Sequence, residues 1–265
     1  MTYRLAVVGG GNMGAALVGG LLKAAGSDWV AADLAIVEVL ASRADQLGEI
    51  FPGVAVTDVV PGCTAAVIAV KPPDVVAACA AAAAAGATRL LSIAAGIPLA
   101  TLQAATGPKV AVVRAMPNAP ALVGQGAAAI SAGTTANDGD MSWAESILGS
   151  VGTVVRVPES ELDAVTGLAG SGPAYLFLIA ESLIGAGVAA GLSQEVSESL
   201  VTQLFVGSAA LLSELGDPAE LRRMVTSPGG TTAAGLRVLD ERGVREAFLD
   251  AVMAAKARSI ELGQS

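Results

Sequence analysis

A chain of 265 residues holds one or two domains, and with 53% hydrophobic and 15% charged residues it excludes intrinsic disorder. A net charge of −9 and only 3% aromatic residues argue against a nucleic-acid partner or an anionic membrane, since acidic side chains outnumber basic ones 24 to 15 and few rings are available to stack on bases. The absence of histidine removes Ser-His-Asp hydrolysis, Cys-His proteolysis, histidine-ligated zinc and every imidazole acid–base step.

The chain opens on Met1-Thr2-Tyr3-Arg4 and runs directly into an apolar strand, without the apolar leader of a secreted protein. Up to about Pro158, β-type runs at 5–8, 35–39, 54–57, 66–70, 89–93, 110–114, 127–131 and 153–157 alternate with Ala-rich helical stretches. Such alternation predicts a parallel sheet covered by helices on both faces. The last two runs lie closer to hairpin spacing and are expected as antiparallel edge strands. Cys63 and Cys79 stand sixteen apart, which fits no metal or redox spacing. Two buried thiols in a reducing, cytoplasmic setting are the expectation, with no metal.

After Pro158 the strand signal stops and helix follows helix, dividing the chain into an α/β domain at 1–158 and an all-α domain at 159–265. Ser193 ahead of Glu195, and Asp217 ahead of Pro218, read as helix starts. The stretch 174–192 is apolar nearly all round and interrupted only by Glu181 and Ser182. It predicts a buried helix rather than a membrane span, with a partner subunit supplying the cover that so small a helical domain lacks.

Residues 9–14 read G-x-G-x-x-G between the first strand and a helical run, the context in which this motif marks a dinucleotide site. Gly9 permits the tight turn, Gly11 lets a pyrophosphate approach the backbone, and Gly14 lets helix and strand pack closely. A helix N-terminus then offers its positive end to the phosphates, so an acidic protein can hold a polyanion. Glu38, 24 residues beyond Gly14, is placed to bond ribose hydroxyls and favours NADH. Arg43 is placed to pair with a 2′-phosphate and favours NADPH, or else is a solvated helix residue. Ala69-Val70-Lys71-Pro72 closes the fourth strand, where strand ends line a cofactor crevice; Lys71 is either near the cofactor or simply exposed.

Three further stretches stand out: 113–118 with Arg-x-Met-Pro-Asn, 163–175 with Gly-Ser-Gly-Pro-Ala-Tyr, and 225–232 with Ser-Pro-Gly-Gly-Thr-Thr. Together with Ser-Ile-Ala-Ala-Gly at 92–96 and the motifs above, they make the chain resemble the pyrroline-5-carboxylate reductase family over nearly its whole length. The sequence departs from that pattern at Ala169, where serine is usual, and at Gly185, where aspartate is common. The resemblance implies a Rossmann domain followed by a helical dimerisation domain, interleaved between two subunits in a homo-oligomer. It implies an NAD(P)H-dependent imine oxidoreductase that converts pyrroline-5-carboxylate to proline, with its active site between the nicotinamide and the helical domain. Carried over, Gly9, Gly11, Asn12, Met13, Gly14, Ala69, Val70, Lys71 and Pro72 contact the dinucleotide, and Ala95, Gly96 and Asn118 lie near the nicotinamide. Thr166, Glu214, Ser227, Thr231 and Thr232 surround the substrate.

Imine reduction suits a protein without histidine. The ring nitrogen can take its proton before hydride arrives, so positioning carries most of the catalysis. Glu214 can favour the iminium by charge, and Thr166 can donate or accept at the ring nitrogen. The substrate carboxylate is expected at Ser227, Gly230, Thr231 and Thr232, where a glycine turn and a helix N-terminus present N–H groups. A hydroxyacid dehydrogenase of similar build would want a lysine on its long helix. None occurs between Lys109 and Lys256. A catalytically silent dinucleotide-binding scaffold is the remaining alternative. NADH and NADPH are expected to serve about equally.

Overall fold

The computed structural model describes residues 2–24, 26 and 28–264. In chain order the elements are β1 (Leu5–Val8), α1 (Asn12–Lys23), β2 (Leu34–Val37), α2 (Ala41–Ile50), β3 (Ala55–Thr57), β4 (Ala65–Ile68), α3 (Val75–Ala84), β5 (Arg89–Ser92), α4 (Leu99–Thr106), β6 (Ala111–Met116), β7 (Gly126–Ala132), α5 (Asp138–Gly149) and β8 (Gly152–Arg156). The helical part follows as α6 (Leu162–Val165), a π-helical turn (Thr166–Gly170), α7 (Gly172–Ala189), α8 (Gln194–Leu215), α9 (Pro218–Met224), α10 (Thr231–Glu241) and α11 (Val244–Gln264). The described residues fall into two compact units. One comprises Met1–Ser171 with Met253–Ser265, the other Gly172–Val252.

The first unit is an eight-stranded sheet in the order β3-β2-β1-β4-β5-β6-β7-β8. Alternation along each strand divides the core. Leu5 and Val7 of β1 join Leu34, Ile36 and Val67 on one face, under α1, α2 and α5, while Ala6 and Val8 join Ala66 and Ile68 on the other, under α3 and α4. Strands apolar on both sides require helices on both sides, which short apolar runs between Ala-rich segments encode. Cys63 and Cys79 are buried free thiols.

All strands through β6 pair in parallel, and β7 pairs antiparallel with β6. The antiparallel direction expected for the last two strands is present, but they are not a hairpin. Helix α5 crosses between them, so β8 pairs in parallel with β7, and only β8 lies at the edge.

In the second unit α7 and α8 form a helical hairpin that closes tightly at Gly187, where an added Cβ would stand 2.7 Å from Ser197 Oγ. Both expected helix starts are capped: Ser193 Oγ accepts from the Val196 N–H at 3.2 Å, and Asp217 accepts from the N–H groups of Ala219 and Glu220. The expected burial of 174–192 is not met within the chain. No residue of α7 is buried, and Leu176, Phe177 and Leu178 are 52%, 65% and 63% exposed. A helix apolar on every side cannot be covered by one hairpin partner. By length and composition, Glu159–Ala189 and Gln194–Leu215 would also suffice to cross a membrane.

Candidate active site

The order 3-2-1-4 reverses direction between β1 and β4, and ligands of open α/β sheets bind beyond the carboxyl ends of the strands at such a reversal. Gly9 follows β1 there with φ of +111°, and a Cβ on it would stand 2.5 Å from the Ala69 carbonyl oxygen just past β4. Only glycine fits a backbone of that sign and that proximity. Gly14 is closed in the same way: its Cβ would lie 2.1 Å from the Gly9 oxygen. Gly11 meets nothing within 4 Å and is the N-cap of α1 without any side-chain cap, so the first N–H groups of α1, beginning at Asn12 and Met13, are presented to the crevice. Two glycines that let the backbone close up, and a third that keeps it open at a helix N-terminus, fit a dinucleotide pyrophosphate.

The two residues set against each other for cofactor choice meet at Gly10. Glu38 directly follows β2, and its Oε1 accepts from the Leu40 N–H at 2.9 Å; its Oε2 lies 3.0 Å from where a Gly10 Cβ would be. Arg43, in the first turn of α2, donates from Nε to the Gly10 carbonyl at 2.9 Å. It is therefore a tether of the glycine loop rather than a solvated helix residue. Across the crevice, Ala69 and Val70 lead to Lys71, which is exposed, and Pro72.

Beyond β5 the chain turns at Ala95 and Gly96. Ala95 is exposed, whereas Gly96 is buried with φ of +77°. Beyond β6, Asn118 links two segments. Its Oδ1 accepts from the Ala127 N–H at 2.8 Å, and its Nδ2 donates to the Ala169 carbonyl at 3.1 Å. Gly170 seats against Met116, since a Cβ there would lie 2.6 Å from Met116 Cε. Thr166 opens the π-helical turn and donates its hydroxyl hydrogen to the Leu162 carbonyl at 2.9 Å. That leaves its oxygen free to accept a hydrogen bond. Such π turns recur at functional sites.

Two interactions here carried no sequence signal. Arg114, 8% exposed on β6, pairs with Glu159 at 2.9 Å, and Glu159 also accepts the Leu99 N–H at 2.7 Å. The pair ties the strand that leads to Asn118 to the helix that follows the Gly96 turn. Ser259 donates its hydroxyl to Asp163 Oδ1 at 2.7 Å.

The other expected site residues belong to the second unit. Glu214 is exposed near the end of α8. Ser227 is exposed, and Gly230 N-caps α10 without a side-chain cap. Thr231 and Thr232 are exposed in the first turn of α10. A Ser or Thr hydroxyl satisfying that helix start would have made this an ordinary cap; among the described residues none does so.

Residues 159–262 match the family model for pyrroline-5-carboxylate reductase dimerisation, and residues 4–96 match that for coenzyme F420-dependent NADP oxidoreductases. A pyrroline-5-carboxylate reductase of Mycobacterium leprae is 40% identical over 286 residues, covering 98% of this chain and 96% of the relative. A solved pyrroline-5-carboxylate reductase from Coxiella burnetii is 33% identical with a TM-score of 0.91 over the full length of both chains. The Plasmodium falciparum pyrroline carboxylate reductase, solved with NADP bound, is 29% identical with a TM-score of 0.83 over 98% of both.

Proposed function

The chain belongs to the pyrroline-5-carboxylate reductase family, and we propose that its glycine crevice holds the dinucleotide while the 227–232 segment holds the substrate carboxylate. It is an NAD(P)H-dependent oxidoreductase that reduces the cyclic imine 1-pyrroline-5-carboxylate to proline in proline biosynthesis. When bound, NAD(P)H supplies the hydride for the imine carbon. Everything else falls to the chain's own residues.

Gly11 leaves room for the pyrophosphate at the N-terminus of α1, where Asn12 and Met13 offer their backbone N–H groups, while Gly9, whose own N–H is committed to the Val37 carbonyl at 3.0 Å, and Gly14 let the backbone close up beneath it. Ala69, Val70, Lys71 and Pro72 line the facing strand end, and Ala95, Gly96 and Asn118 line the nicotinamide end. Thr166 accepts a hydrogen bond from the protonated ring nitrogen, because its own hydrogen is committed to Leu162. Glu214 adds negative charge that favours the iminium. No strong acid is needed, which agrees with a chain that has no histidine. Glu38 and Arg43 both touch Gly10 and oppose each other, so NADH and NADPH are used about equally.

The observation that carries the carboxylate assignment is the start of α10: a glycine N-cap without a side-chain partner, followed by two exposed threonines. Free N–H groups and the positive helix end suit a carboxylate. No lysine between Lys109 and Lys256 is present to serve a hydroxyacid dehydrogenase. The exposed faces of α7 and α8 are covered by a second copy in a homo-oligomer of interleaved dimers rather than by lipid. Glu181 and Ser182 in the middle of α7 favour a protein partner over hydrocarbon, and the cytoplasm is the compartment.

Hydrogen bonds to a charged group are worth about 1.5–3 kcal/mol each, so Thr232→Ala raises KM for pyrroline-5-carboxylate about 10- to 100-fold with NAD(P)H affinity unchanged. A normal substrate KM in a folded variant places the carboxylate elsewhere. A stable monomer in sedimentation at micromolar concentration removes the interleaved dimer.

A further inference from the structure

The final turn of α11 touches two separate parts of the site through one helix face. Ser259, Leu262 and Gly263 stand at i, i+3 and i+4 and so share that face. At one end, Ser259 is 4% exposed and its hydroxyl donates to Asp163 Oδ1 at 2.7 Å. Asp163 lies three residues before Thr166, one turn away. At the other end the helix meets Gly96 backbone to backbone. A Cβ on Gly263 would stand 3.1 Å from the Gly96 oxygen, and a Cβ on Gly96 would stand 3.5 Å from Leu262 Cβ. Gly96 is buried in a left-handed turn, so it cannot retreat without moving the loop that carries it.

We propose that this turn is a positioning element: it sets the separation between the Gly96 loop and the Thr166 segment. Resting on the functional reading above, it thereby aligns the groups that receive the nicotinamide with the group that receives the imine nitrogen. A hydride transfer is sensitive to such spacing, since a 1 Å misplacement can cost about 100-fold in rate. Ser259, Leu262 and Gly263 touch neither reactant and act only through Gly96 and Asp163.

The two contacts make separable predictions. Gly263→Leu pushes on the Gly96 carbonyl and weakens NADPH and NADH binding about tenfold by titration calorimetry, with the melting temperature nearly unchanged. Gly263→Ala, carrying a single methyl, gives a smaller shift in the same direction and stands in if the leucine variant does not fold. Ser259→Ala frees Asp163 and lowers kcat about tenfold while the dinucleotide Kd stays at its wild-type value; Ser259→Thr, which keeps the hydroxyl, restores kcat. Folded Gly263 variants with wild-type Kd, or a Ser259→Ala variant with wild-type kcat, overturn the inference. A wild-type protein that binds dinucleotide but does not turn over pyrroline-5-carboxylate overturns the functional reading instead, and the Gly263 binding comparison still decides the contact at Gly96.

Discussion

Gly9 and Gly11 stand two residues apart in one motif, yet the structure gives them opposite sensitivities. An alanine at position 9 must adopt φ of +111° and place its Cβ 2.5 Å from the Ala69 oxygen and 2.7 Å from the Ala69 carbonyl carbon. The backbone cost is about 1–2 kcal/mol and the overlap about 1–3 kcal/mol, so Gly9→Ala destabilises by about 2–5 kcal/mol. In a protein of this size that lowers the melting temperature by about 4–20 °C. Gly11 has φ of −65° and open space around it. There alanine forfeits up to about 1 kcal/mol of N-cap preference and regains about 0.4–1 kcal/mol through a less flexible unfolded chain. Gly11→Ala should therefore melt within about 3 °C of wild type. Its methyl group stands where the pyrophosphate must approach, and it should raise the dinucleotide Kd at least about tenfold, or 1.4 kcal/mol. Thermal melts and calorimetric titrations with NADH and NADPH read both quantities. A Gly9→Ala protein with the wild-type melting temperature, or a Gly11→Ala protein with the wild-type Kd, refutes the roles given to these glycines.

Glu38→Ser should move the kcat/KM ratio towards NADPH, because a carboxylate beside the 2′ position repels a phosphate; an unchanged ratio means that Glu38 does not face the ribose. Removing Glu159 leaves the Arg114 guanidinium buried without its counter-ion, so Glu159→Ala should cost about 2–4 kcal/mol in denaturant titrations, at or below the usual range because Glu159 is partly exposed. The double variant Arg114→Met, Glu159→Leu should lose less than the sum of its single substitutions, and strict additivity counts against the pair. Burial pushes the Cys79 thiol up to about 12 and raises Cys63 as well. The unfolded chain releases these protons near pH 9 while the folded chain keeps them. Stability should therefore fall as pH rises from 9 to 12, by about 1.4 kcal/mol per pH unit for Cys79, with Cys63 acting in the same direction, and Cys79→Ala should flatten that slope.

The features that sequence made legible are those whose signal lies within a few residues. The glycine motif, the two-residue alternation of the strands and the Ser193 and Asp217 caps each report a local requirement, and each has its structural counterpart. Contacts between distant segments left no such trace. Arg114 stood inside a recognisable motif, but its partner Glu159 lies 45 positions on, and Asp163 meets Ser259 across 96. The direction of β8 was partly legible, whereas its pairing depended on a crossover by α5 that spacing alone reads as a hairpin. The apolar surface of α7 was plain in the sequence. Whether it would be buried was not, because burial depends on what else packs nearby, and the chain supplies too little.

Imine reduction by this protein is tested most directly by steady-state oxidation of NADH and NADPH by the purified protein with pyrroline-5-carboxylate, with the product identified by mass spectrometry. Turnover is expected with both dinucleotides, with one proline formed per dinucleotide oxidised and no oxidation of small hydroxyacids in the reverse direction. Dinucleotide binding without proline formation, or turnover of a hydroxyacid instead, would contradict it.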